Sequence, residues 1–302
     1  MGATLADPIL PIFAILAIGF VAGRRGWFDE GFARTLNRFV FLIGQPTLVF
    51  FVIARAEFGS FDWTALGAYL GSELAVYALG AVVARTLFGR ELREALLLGM
   101  TCAFVNHLYY VLPIVELIFG AEAARPVAGV IVVDVVLLYC GTVLVMDLLD
   151  AERADPASVV RLLARSPTVL AVLAGAGAAA LGGLTPPGVF TFAEFVGRAA
   201  PPVSLLALGI VMAAAPLARV GGATLSIVGI KVLVHPLIAL GLLSLAAVPA
   251  DWADVLLIVA AGPCGAMPFV IALQYGVKTE TIAKAILIST VLTLLSLSVL
   301  TA

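Results

Sequence analysis

LLLGMTCAFVNHLYYVLPIVELIFG, residues 96–120, is long and apolar enough to cross a lipid bilayer, for which about 20 residues suffice. It is nevertheless badly built for a smooth helix. Pro113 has no N–H and its ring clashes with the preceding turn, so a kink or break is expected just before it. Asn106 lies seven residues earlier, an amide deep in the apolar run, and His107 follows it. A broken membrane helix frees backbone N–H and C=O groups. In hydrocarbon these are costly unless they are buried in protein or line a watery cavity.

A second stretch, VLLIVAAGPCGAMPFVIALQYG over residues 255–276, has the same character. Pro113 is followed by IVELIFG and Pro268 by FVIALQYG, so both reach an aromatic-Gly pair at nearly the same distance. Gly262-Pro263 and Gly265 add a further break. Either stretch alone reads equally well as an ordinary proline-kinked helix. Two Gly/Pro-interrupted segments at corresponding positions of two halves point to the binding site of a secondary transporter.

The rest of the chain agrees with a membrane setting. Of 302 residues, 63% are hydrophobic and 12% charged, where a soluble domain carries about 25% charge. This predicts an integral membrane protein forming one bundle, with its first apolar run kept as a spanning helix. A net charge of −2 offers no basic surface for nucleic acid. Cys102, Cys140 and Cys264 have neither metal nor disulfide spacing and read as small core residues.

Hydropathy divides the chain into about ten spans. They run over residues 7–26, 36–54, 63–88, the first broken stretch, 126–148, 167–184, 189–215, 223–247, the second broken stretch and 279–300. Gln45-Pro46 lies inside the second span and Pro201-Pro202 near the start of the seventh. The polar linker 150–166 separates a first five-helix repeat, 1–149, from a second, 167–302. Five is odd, so the second set enters from the opposite side. The expected fold is therefore an all-α polytopic membrane protein of two inverted repeats, with broken crossover helices four and nine.

Charge sets an orientation. With the first loop cytoplasmic, that side receives Arg24, Arg25, Arg34, Arg38, Arg85, Arg90, Arg93, Arg153, Arg161, Arg165, Arg219, Lys278 and Lys284. The far side receives Arg55, Arg125 and Arg198. This positive-inside asymmetry puts the protein in a cytoplasmic (inner) membrane with both termini outside the cytoplasm.

Ionisable groups deep in spans cost at least about 2.5 kcal/mol each, so each is a functional candidate. Glu73 in the third span and Lys231 in the eighth lie at corresponding places of the two halves and can pair, coupling protonation or conformation to transport; a structural ion pair is the alternative. His235 sits one turn after Lys231 on the same face. Glu116, three residues after Pro113, either carries a proton or faces a vestibule. Asp134 and Asp147 in the fifth span are weaker candidates, Asp147 at the membrane interface. Asn106 suits a carboxylate through its amide, and half-helix N-termini suit anions through free N–H groups and their dipole. His107 and Tyr109 stand beside it, and Gln45, Pro113, Pro263 and Pro268 complete the candidate binding set.

With these features in hand, the whole chain resembles the auxin efflux carrier family, whose bacterial members include malonate and malate permease-like proteins. The matching features are Asn37-Arg38-Phe39-Val40-Phe41 leading to Pro46, Asn106 to Pro113, Pro201-Pro202 to Gly209, Lys231 with His235-Pro236, and Pro263 to Tyr275-Gly276. The resemblance implies ten helices in two inverted repeats, broken helices crossing beside the substrate, and an elevator-like motion against a scaffold. It also implies that Asn106 contacts substrate and that Glu73 and Lys231 form an acid–lysine pair near the site. Where the family often has glycines between the Asn and the Pro, this chain has His107-Leu108-Tyr109-Tyr110-Val111-Leu112, which bears on ligand size.

The resulting expectation is a secondary transporter or facilitator for a small organic anion, a carboxylate, embedded in the lipid bilayer. No cofactor or metal is expected, and proton or sodium coupling is left open. Ala- and Gly-rich helices leave room for a homodimer. The alternative is a sodium-coupled symporter or cation/proton antiporter of the same architecture. An intramembrane enzyme is disfavoured by the lack of H-E-x-x-H, a paired catalytic Asp motif or a nucleophile with a base.

Overall fold

The computed structural model describes residues 6–120, 123–149, 164–214 and 220–300. The expected linker over 150–163, with Arg153 and Arg161, lies outside the described residues, as do Arg219 and both chain ends.

Each of the ten expected segments is helical. α1 is Ala6–Arg24, α2 Glu30–Ala54, α3 Trp63–Thr86, α4 Leu92–Ala103, α5 His107–Phe119 and α6 Ala124–Leu148. α7 is Pro167–Leu181, α8 Pro187–Gly197, α9 Ala200–Ala214 and α10 Gly222–Leu245. α11 is Ala250–Ala261, α12 Met267–Gln274 and α13 Glu280–Leu300. Among the described residues, six helical runs are long and apolar enough to cross a membrane: α2, α3, α6, Pro167–Leu184, Pro187–Ala213 and α10. Side chains set several starts. Asp29 accepts from the Phe32 N–H at 2.8 Å and Asp62 from the Ala65 N–H at 2.9 Å, satisfying first-turn donors that have no intrahelical partner.

The prolines bend the chain differently from the expectation. No break occurs just before Pro113. Instead Pro46, Pro113 and Pro236 are each the second residue of an α-helical stretch that follows a wider π turn: Val40–Gly44, His107–Val111 and Ile230–Val234. The N–H of the residue before each proline reaches the carbonyl five residues back, Gln45 to Val40, Leu112 to His107 and His235 to Ile230. The π turn thus absorbs the missing donor and the ring clash without ending the helix. A fourth π turn, Asp134–Tyr139, has no proline and carries a buried aspartate.

The true interruptions are at Phe104–Asn106, between α4 and α5, and at Gly262–Ala266, between α11 and α12. The two cross there. α4 runs beside α12 and α5 beside α11, with a buried apolar cluster on each side of the crossing.

Packing gathers the remaining helices into two groups. α1 lies against α9, and α2 against α7, α8 and α9. α3 lies against α4 and α10, and α10 against α11 and α13. The α1–α9 contact is close enough that a Cβ on Gly209 would fall on the Leu16 carbonyl oxygen, so only a small residue lets the backbones meet. α5 touches both groups, packing on α2 and α9 as well as on α11.

Candidate functional site

At the crossing the broken backbones satisfy each other. Val105 and Cys264 form an antiparallel bridge. The Asn106 N–H donates to the Pro263 carbonyl at 2.9 Å, and the Gly265 N–H donates to the Phe104 carbonyl at 2.8 Å. The Cys264 N–H donates to Ser289 Oγ at 3.1 Å. These bonds remove the cost of interrupting a helix in an apolar setting. α5 and α12 both begin here; in α12 Pro268 has no N–H, and the Phe269 and Val270 N–H groups donate to the Ala266 carbonyl at 3.1 and 3.2 Å. Asn106 is half-buried, its side-chain amide makes no hydrogen bond among the described residues, and Ala266 opposite is exposed.

The first turn of α5 is tied to three neighbours. His107 Nε2 lies 3.0 Å from Asp134 Oδ2, both residues buried. The Tyr109 hydroxyl donates to Gln45 Oε1 at 2.8 Å, and Gln45 Nε2 reaches Thr168 Oγ1 at 3.5 Å. Thr293 Oγ1 donates to the Tyr110 hydroxyl at 3.3 Å. Tyr109 and Gln45 are thus bonded partners, while Pro263 lies in the crossing and Pro268 is buried at the start of α12.

Glu73 and Lys231 are both fully buried but do not pair directly. Lys231 Nζ donates to His235 Nδ1 at 2.8 Å and to the Ala103 carbonyl, the C-terminal end of α4, at 3.4 Å. An ammonium only donates, so this bond leaves the His235 proton on Nε2, which lies 3.3 Å from Ser72 Oγ. Ser72 in turn donates to the Tyr69 carbonyl at 2.6 Å. Among the described residues, both Glu73 carboxylate oxygens, Asp134 Oδ1 and the Tyr69 hydroxyl are buried with no partner in full hydrogen-bond geometry, although the Glu73 side chain lies close enough to Asp134 and Tyr69 to interact with both. Glu73 interacts electrostatically with Asp134, Tyr69 and Lys231. The cluster therefore contains two carboxylates and one lysine, with Asp134 central to it rather than peripheral. Tyr69 and Ser72 were not singled out in the sequence, although their spacing to Glu73 puts all three on one helix face.

Glu116 belongs to a different place. A largely apolar cavity of about 250 Å³ lies between α5 and the α1–α9 group, with Leu108, Leu112 and Pro113 on one wall and Phe51, Pro202 and Leu205 on the other. Glu116 sits on it and pairs with Arg198 at 3.5 Å, which also holds Glu194 at 3.1 Å. Asp147, expected at the interface, is buried and accepts from the Tyr275 hydroxyl at 2.6 Å. Cys102 and Cys264 are buried, and Cys140 is half-buried.

Residues 4–301 match the family described as "Membrane transport protein". Over 306 residues, covering 96% of this chain and 92% of the relative, it is 27% identical to a protein of Rhizobium meliloti (strain 1021) named "Putative malonate transporter". Over 310 residues, 98% of this chain and 97% of the relative, it is 25% identical to an "Uncharacterized transporter" of Methanothermobacter thermautotrophicus. The chain is thus a multi-pass membrane transporter rather than an enzyme, and it belongs to the membrane transport protein family, the auxin efflux carrier family that its sequence resembles.

Proposed function

We propose that the protein moves a small organic anion, recognised through a carboxylate, across the cytoplasmic membrane by elevator-type alternating access. The observation that carries this reading is the crossing, where two interrupted helices satisfy each other's backbone and leave the Asn106 amide free. Such a place offers neutral and dipolar donors to an anion without a permanent countercharge, so the ligand can leave as well as enter. The name of the Rhizobium meliloti relative supports a carboxylate. The antiparallel sense of the crossing backbones supports two inverted repeats and ten crossings. Separate packing of the α1–α9 and α3–α10 groups, with a cavity against α5, supports one group sliding past the other.

The crowding of the Glu73 carboxylate against Asp134, whose Oδ1 has no partner among the described residues, favours a second reading, that transport is coupled to a cation. Two buried carboxylates against one lysine leave a negative charge that a proton or a sodium ion balances. Uptake into proteoliposomes of mono- and dicarboxylates, including malonate and indole acetic acid, tests both readings. At least one carboxylate is expected to accumulate, and faster under an imposed proton or sodium gradient. Folded protein that moves none of them overturns the first reading. Flux indifferent to either gradient overturns the second.

A further inference from the structure

A second cavity, of about 290 Å³, lies where α3 ends and α4, α10 and α13 begin. α4 has twelve residues, so at about 1.5 Å per residue this cavity is about 18 Å from the crossing. Arg90, Lys278 and Lys284 line it, against the carboxylates of Glu94 and Glu280. Two of the cations are matched by carboxylates four residues away, Arg90 to Glu94 at 3.0 Å and Lys284 to Glu280 at 2.6 Å. Lys278 has no carboxylate within 4.0 Å among the described residues, so one positive charge is left over at the cavity.

α10 starts on this cavity with Gly221 as its cap, which has no side chain to take up the first-turn N–H groups. Thr224, in that first turn, provides a second and independent observation. It is only 3% exposed and lines the cavity, yet its hydroxyl makes no hydrogen bond among the described residues. A buried hydroxyl is normally paired. Uncapped N–H groups, the unpaired hydroxyl of a buried threonine and a surplus ammonium are all donors, and they converge from α10 and the loop before α13.

We propose that this cavity binds a phosphate-bearing anion, its oxygens taken by the α10 first-turn N–H groups and the Thr224 hydroxyl and its charge balanced by Lys278. A tetrahedral oxyanion accepts from several directions at once, which suits donors arranged around a cavity better than a planar carboxylate does. The same chemistry is presented by a soluble phosphate and by an anionic phospholipid headgroup. Either one bridges helices of the α3–α10 group and touches none of the α1–α9 group.

Thermal unfolding of the delipidated full-length protein tests this, with inorganic phosphate and short-chain phosphatidylglycerol as probes and chloride at matched ionic strength as control. At least one phosphate probe is expected to raise the unfolding midpoint above the chloride control. Thr224→Val and Lys278→Gln are each expected to weaken that response about tenfold in apparent Kd, the effect of losing one contact to a charged oxygen. A response to inorganic phosphate identifies a soluble anion as sufficient, whereas a response confined to phosphatidylglycerol identifies the lipid headgroup. No response beyond chloride, or wild-type affinity in both variants, overturns the proposal. Lys278 is exposed, so its variant keeps the fold and decides the matter if Thr224→Val does not.

Discussion

Replacing Gly265 with valine is expected to abolish transport and to destabilise the protein by about 4 kcal/mol, combining overpacking of about 1–3 kcal/mol with a buried amide left unpaired at about 1–3 kcal/mol. A Cβ at this position would stand 2.6 Å from Phe104 Cδ1, 2.7 Å from the Val105 carbonyl oxygen and 3.0 Å from the Val105 carbonyl carbon. Backbone cannot rotate away as a side chain can, and the Gly265 N–H is itself bonded to Phe104 at 2.8 Å. The two interruptions would have to separate, losing that bond and strain the Asn106–Pro263 bond beside it. Gly177→Ala, in open space on α7, is the matched control and is expected to change neither property. Thermal unfolding together with vesicle uptake measures both. A Gly265→Val protein that melts and transports like wild type would mean the two breaks do not meet.

Lys231→Met is expected to cost about 3–5 kcal/mol, the usual penalty for removing one partner from buried charges. Glu73 and Asp134 would lose the cation that balances them, and the C-terminal carbonyl of α4 would lose its donor. The double variant Lys231→Met/Glu73→Gln is expected to recover part of the loss, because the glutamine removes the stranded charge. A thermodynamic cycle over wild type, both single variants and the double variant reads that coupling directly. Strict additivity would show that Lys231 and Glu73 act independently. Transport is expected to fall in both single variants, since the cluster abuts the end of α4 where the crossing starts.

Much of this arrangement was legible in the sequence, and the failures have physical causes. Gly262-Pro263 and Gly265 announced the second interruption because each departs from helical backbone or hydrogen bonding. Phe104-Val105-Asn106 contains no such residue. Its break is stabilised by pairing with residues some 160 positions away, such as Val105 with Cys264, which no local pattern encodes. Pro113 misled because a proline shows that one backbone donor is missing without showing how the chain compensates. Here a π turn reaches back to His107 and the helix continues.

The charges were legible as deep, but their partners were not. Glu73 and Lys231 stood out by their cost in an apolar span. Lys231 and His235 were placed together by their spacing of four, which a helix makes adjacent. Asp134 looked weaker because its significance comes from His107, on a helix the sequence could not dock against α6. Gln45 and Tyr109 lie 64 residues apart, and only the tertiary fold makes them bonded partners.

On the proposed reading, the free amide of Asn106, at the crossing of two interrupted helices, receives the carboxylate. Counterflow of labelled malonate in proteoliposomes, comparing wild type with Asn106→Ala at equal unfolding midpoint, tests it most directly. Flux is expected to fall about tenfold or more, as for loss of a hydrogen bond to a charged group, with the fold intact. Malonate flux carried by wild type and left unchanged in Asn106→Ala would contradict it and move the binding site away from the crossing.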